Sequence, residues 1–152
     1  MYVDPRGPRF GAVLTTLVLA VVLVTGSSWL LLAQAVVFAI GAIAGLRWAP
    51  YGVLYRRFVR PRLDPPDQLE AEAPPRFAQA VGLLFAAVGT IGYLTGVTPL
   101  GVVATAFAFA AAFLNAAFDF CLGCEMHVRL VRLFGRPVTQ RFVSRQSVPR
   151  TS

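Results

Sequence analysis

The chain has 152 residues, of which 57% are apolar, and carries a formal charge of +7, with a mean hydropathy of +0.66. Its fourteen basic residues are all Arg. They flank long apolar runs and form no basic face on a soluble fold, which excludes a nucleic-acid binder. The runs also exclude a soluble domain, because they lack internal charge and show no polar face at helical period.

The N-terminal segment carries Asp4, Arg6 and Arg9 and leads into a first apolar run, Phe10–Gly26. Basic residues before an apolar stretch resemble a signal peptide. A second run, Trp29–Trp48, follows after only Ser27 and Ser28, so the reading is a tight helical hairpin. Two further runs, Phe77–Gly96 and Thr98–Phe120, are joined at Val97 to Pro99, again without charge. Each run is close to the roughly 20 residues that cross a hydrocarbon core. All charge falls in the N-terminal, central and C-terminal segments, and Arg-rich loops stay on the cytoplasmic side. The expectation is an all-α fold of four transmembrane helices, arranged as two tandem helical hairpins. Each hairpin is followed by a basic interfacial amphipathic helix, in the plasma (inner) membrane, with both termini cytoplasmic. Anionic lipid headgroups are the expected partners of the Arg residues.

Beyond Trp48, residues Tyr51, Leu54, Tyr55 and Phe58 recur at i, i+3, i+4 and i+7, with Arg56, Arg57 and Arg60 between them. That pattern predicts the first interfacial helix; residues 127–134 predict its counterpart. Residues 62–74, rich in Pro, Asp and Glu, read as a solvated linker. Residues 138–152 read as a flexible cytosolic tail outside a single membrane domain, 1–137. The two halves, 8–61 and 75–137, share markers in one order. Pro8-Arg9-Phe10 matches Pro75-Arg76-Phe77, and Thr25-Gly26 matches Thr95-Gly96. Even-numbered spans per half make this a parallel repeat. Gly41 with Gly45, Gly92 with Gly96, and the ridge Ala104, Ala108, Ala112 and Ala116 allow close helix approach, within the chain or in a homo-oligomer.

The chemistry concentrates after the fourth run. Cys121 and Cys124 are the only cysteines and form Cys121-Leu122-Gly123-Cys124. In a reducing compartment such a pair points to redox, metal or sulfur-carrying chemistry more than to a permanent disulfide. On a continuous helix the pair would lie near a C-terminus, without the positive helix end that activates such thiols. Gly123 predicts a break there, at Leu122-Gly123, because Gly is a poor helix former. Glu125, one turn after Cys121, is placed to accept a proton or to repel a thiolate. Asn115 and Asp119, at i and i+4, are polar groups at the membrane edge and so candidate binding residues. His127 and Arg129 complete the set, as partner-binding or thiolate-favouring groups. Cys-x2-Cys-x2-His supplies three zinc-type ligands, but one helix cannot wrap them around a tetrahedral ion, so no metal or other cofactor is assigned. His127 reads as a headgroup-level surface residue.

Three segments carry a resemblance: Asp4-Pro5-Arg6-Gly7-Pro8-Arg9-Phe10, then Ala73-Pro74-Pro75-Arg76-Phe77-Ala78-Gln79-Ala80-Val81, then Phe113-Leu114-Asn115-Ala116-Ala117-Phe118 leading into Cys121-Leu122-Gly123-Cys124-Glu125-Met126. Over residues 4–136 the chain resembles the DUF4395 family of bacterial, largely actinobacterial, integral membrane proteins. That resemblance implies a setting of sulfur or thiol handling beside thiosulfate sulfurtransferases and thioredoxin-like proteins. It implies no activity, and His127 stands where the family pattern has Tyr. Three functions follow as expectations. In the first, the Cys pair exchanges sulfur, as a persulfide, or electrons with a soluble thioredoxin- or rhodanese-like partner. The second is a small transporter subunit for a sulfur-containing anion such as thiosulfate, working as an oligomer. The third is a structural subunit of a larger membrane complex.

Overall fold

The computed structural model describes residues 2–135 and 143–144. Six helices carry it: α1 (Arg6–Thr25), α2 (Ser28–Ile43), α3 (Pro50–Leu54), α4 (Ala73–Leu94), α5 (Thr98–Phe118) and α6 (Leu122–Leu133). Three of them, α1, α4 and α5, are long and apolar enough to cross a membrane. Helix α2 is shorter than the run that contains it, with 16 residues, or roughly 24 Å at 1.5 Å per residue. It starts at Ser27, whose hydroxyl accepts from the Leu30 N–H, and it ends before Gly45, which has φ +99°.

The first two helices are not each other's main packing partners. Helix α2 packs chiefly on α4, α1 on α5, and α4 on α5, whereas α1 and α2 touch less. The first pair therefore straddles the second and does not zip up as an independent hairpin. Leu19, Val22, Leu31, Ala35, Phe38, Ala86 and Ala108 form the buried core. Large apolar side chains such as Leu17, Val36, Leu84, Ile91 and Phe107 stay exposed on the outside, where a bilayer, and not water, would cover them.

The small-residue pattern is used differently from the sequence expectation. A Cβ on Gly92 would come within 2.6 Å of the Gly101 nitrogen, so α4 and α5 meet backbone to backbone there. Gly96 and Gly45 instead take positive φ in turns. The unforeseen pair is Gly82 and Gly89 on α4, which receive Phe38 and Leu31 of α2; added Cβ atoms would lie 2.9 Å from both side chains. Ala104 and Ala108 of the alanine ridge are buried inside the chain.

Two arginines bind the charged end of the bundle. Arg76, in the first turn of α4, donates to the Ala42 oxygen at 2.9 Å and the Ile43 oxygen at 3.0 Å. Arg9, in the first turn of α1, donates to the Ala116 oxygen of α5 at 3.3 Å. Each satisfies carbonyls that a helix C-terminus leaves unpaired. Gln34, only 1% exposed, accepts from the Tyr51 hydroxyl at 2.7 Å and donates to Thr15 at 3.4 Å. It thereby ties α1, α2 and α3 together.

The segment after α2 is helical from Pro50 to Arg62, passing through a π turn at Tyr55–Val59 and a 3-10 turn at Arg60–Arg62. Tyr55 is buried and its hydroxyl donates to Asp4 at 3.0 Å, while Leu54 and Phe58 are exposed. The linker is not wholly open. Within it β2 (Gln68–Ala71) pairs antiparallel with β1 (Tyr2–Val3), placing Val3 opposite Glu70, and with β3 (Val143–Ser144). Glu72, 7% exposed, then accepts from the Leu46 N–H at 2.8 Å. Most of the expected tail lies outside the described residues.

Candidate functional site

The fourth apolar run does break, but earlier than Gly123. Helix α5 stops at Phe118, and Asp119 turns the chain with φ 55°. This residue type tolerates the left-handed region better than most, through local hydrogen bonding. Asp119 thus leaves the helix face on which it would have shared a stripe with Asn115. After Phe120, Cys121 takes an extended conformation and becomes the N-cap of α6. Its sulfur accepts from the Cys124 N–H at 3.3 Å. Gly123 lies inside α6, buried against α4, where a Cβ would sit 2.6 Å from Ala78 Cα.

The expected break is therefore present, but at Asp119 to Cys121 and not at Leu122-Gly123. Cys121 and Cys124 open a helix, at the end where unpaired N–H groups and the helix dipole favour negative charge. The two sulfurs are joined as a disulfide with Cα atoms 5.2 Å apart. Glu125 follows in the first turn; its N–H donates to the Cys121 oxygen at 3.0 Å. Its carboxylate accepts from Arg129 at 3.2 Å, which holds the acidic group in an ion pair one turn from the disulfide.

Five of the seven sequence-derived site residues come together around one cavity of about 260 Å³: Asn115, Asp119, Cys121, Cys124 and Glu125. Arg129 reaches this group only through Glu125. His127 does not join it. Its ring packs on Phe77 at 5.5 Å between centroids, and its Nδ1 is buried without a hydrogen-bond partner. The headgroup-surface reading of His127 is thus replaced by a packed one, because the first turns of α6 lie against α4 at Ala78 and Phe77. Among the described residues no three His, Cys, Asp or Glu side chains converge to hold a metal ion.

Sequence reasoning missed Glu70, which lines the same cavity from β2. Partial burial, and then the nearby Asp119 carboxylate, push the Glu70 carboxyl above its ordinary value. No local signal could have found it, since its place depends on pairing with β1, more than sixty residues away in the chain. The cavity is therefore acidic, with three carboxylates around a capped disulfide.

Neither a curated protein nor a solved structure matches this chain. Residues 3–132 match a family described as a domain of unknown function, DUF4395. That match spans both Pro-Arg-Phe segments, the left-handed turn and the whole Cys pair, so the chain belongs to the DUF4395 family.

Proposed function

We propose that this is a four-span membrane protein of the plasma membrane, with both termini cytoplasmic, whose Cys121–Cys124 pair exchanges electrons or sulfur with a soluble thioredoxin- or rhodanese-like protein. The observation that carries the reading is the capped position of Cys121: its sulfur accepts from the Cys124 N–H in the first turn of α6. A thiolate released there faces the positive end of a helix, the arrangement that makes thiols of this spacing good leaving groups and nucleophiles. Both cysteines line the cavity that carries the three carboxylates. Helix α2 supplies the fourth span, with the bilayer thinning to meet a short helix and Arg76 covering its last carbonyls.

In the electron-transfer form, a partner thiolate attacks Cys124, the sulfur bonded to the cap residue. The disulfide breaks and Cys121 departs as thiolate. A second partner thiol then displaces Cys124, leaving a partner disulfide and a membrane dithiol. The test runs the exchange in reverse, as capture on membranes with a Cys121→Ser variant: its lone Cys124 thiol attacks the oxidised partner's disulfide, and Cys121 is not there to release the adduct. A reducible adduct with a thioredoxin- or rhodanese-like protein, lost in the double Cys→Ser variant, is the expected result. If neither cysteine of the reduced wild type reacts with a water-soluble maleimide from the cytoplasmic side, the proposal fails.

A further inference from the structure

Cys121 borders a second cavity as well as the polar one. This cavity measures about 240 Å³ and runs into the bundle between α1, α2, α4 and α5. Cys124 does not line it. Its walls include Phe38, Phe85, Phe107 and Ala111, with the Asn115 and Gln79 amides as polar groups. From Pro75 to Phe85, both on its α4 wall, is roughly 15 Å along a helix, so the cavity reaches well into the apolar span. Phe85 and Phe107 stack with centroids 5.9 Å apart and planes 27° apart. Phe107 is 61% exposed on the outer apolar surface, so the aromatic wall of the cavity is also part of the lipid-facing surface.

These features describe a site for a flat, lipid-soluble ring that enters from the hydrocarbon and stops beside a sulfur. Ligand sites of this kind are mostly apolar with a few placed polar groups. Resting on the exchange reading above, we infer that the cavity binds a quinone, which re-oxidises the dithiol that a soluble partner leaves behind. The two cysteines divide the work by position: Cys124 lines the carboxylate cavity only, and Cys121 lines both.

The step balances without a further reactant. The Cys121 thiolate adds to a ring carbon of the quinone, forming a C–S bond. The Cys124 thiolate attacks the Cys121 sulfur, forming the S–S bond and breaking the C–S bond, whose electron pair stays on the ring. The two protons lost by the thiols complete the hydroquinone. The dithiol is oxidised by two electrons and the quinone is reduced by two. Asn115 and Gln79 line this cavity, and their amide N–H groups are the donors available to ring oxygens on which that charge develops.

The experiment uses full-length protein in lipid nanodiscs, reduced and freed of reductant, then mixed with a decyl-substituted benzoquinone. The expected result is one hydroquinone formed per Cys pair, with loss of both alkylatable thiols. Ala111→Phe, which fills the cavity away from the aqueous side, should slow this reaction by about tenfold or more while oxidation by a water-soluble aryl disulfide keeps its rate. An azidoquinone photolabel on wild-type protein should mark α4 or α5 near Phe85 and Phe107, and does not depend on the variant folding. If the reduced wild type is oxidised by the aqueous disulfide but leaves the quinone untouched, the inference is overturned and the exchange reading stands. Equal quinone rates in wild type and Ala111→Phe, with no photolabel in α4 or α5, also overturn it. If neither oxidant restores the disulfide, the exchange reading falls as well.

Discussion

Cys121 and Cys124 differ in what surrounds each sulfur, and that difference is measurable. The Cys121 sulfur accepts the Cys124 N–H at the start of α6, so its thiolate is stabilised by the helix end, whereas Cys124 sits a turn further in. At neutral pH the reduced protein should react with iodoacetamide at Cys121 about threefold or more faster than at Cys124; equal rates, read by peptide mass, would remove the capping argument. The Glu125–Arg129 pair modulates this. Arg129→Ala leaves the Glu125 carboxylate uncompensated beside the sulfur, and the Cys121 rate should fall by about two- to fivefold. A second residue-scale test lies at Asp4. Burial works against its ionisation, but the Arg6 guanidinium, the Arg6 N–H and the Tyr55 hydroxyl hold the carboxyl below its ordinary value. A carboxylate with a depressed folded pKa adds stability that is fully present above the unfolded value, near 3.9, and is lost as pH falls through the folded one. Melting in detergent should show wild type losing stability below about pH 4 more steeply than Asp4→Asn. At pH 7 the variant should be less stable by about 1–2 kcal/mol. Parallel acid profiles for the two proteins would contradict the assignment.

At the scale of elements, the junction of α5 and α6 shows what a sequence can and cannot disclose. A break near the Cys pair was legible, because Gly123 weakens a helix where the membrane ends. Its place was not, because the turn is made by Asp119 at φ 55°, and a non-glycine residue in that region carries no reliable sequence mark. Gly123 serves packing instead. A side chain there must push α6 away from Ala78, so Gly123→Leu should cost about 1–3 kcal/mol and lower the melting temperature in detergent. An unchanged melting temperature would mean that α6 is not held against α4. Three of the four apolar runs were readable as helices of span length because long uncharged stretches stand out in hydropathy; the second was overestimated, since its helix ends at Ile43 after 16 residues. The pairing of α2 with α4 was not readable, since it depends on Phe38 and Leu31 finding Gly82 and Gly89 across the fold. Glu70 was invisible for a similar reason. Its neighbourhood exists only once β2 meets β1.

At the scale of the molecule, the charged end is built from two reciprocal contacts. Arg9 follows Pro8 at the start of α1 and reaches the last turn of α5, while Arg76 follows Pro75 at the start of α4 and reaches the last turn of α2. The first helix of each half thus covers the end of the second helix of the other half. Helix-start chemistry alone would place Arg after Pro without aiming it at a partner helix; here both side chains reach the last turn of another helix. The two contacts are unequal. Arg76 makes three hydrogen bonds to two carbonyls and is half-buried, whereas Arg9 makes one and is exposed. Arg76→Ala should therefore destabilise the protein by about 1–3 kcal/mol, and Arg9→Ala by about 1 kcal/mol or less. The sites lie on different helix pairs, so their effects should add to within about 0.5 kcal/mol in the double variant. Thermal unfolding of the three variants in one detergent measures all of this. A larger loss at Arg9 than at Arg76 would show that stability at this end comes from the α1–α5 contact and the cavity beside it, and the reciprocal arrangement would lose its energetic meaning.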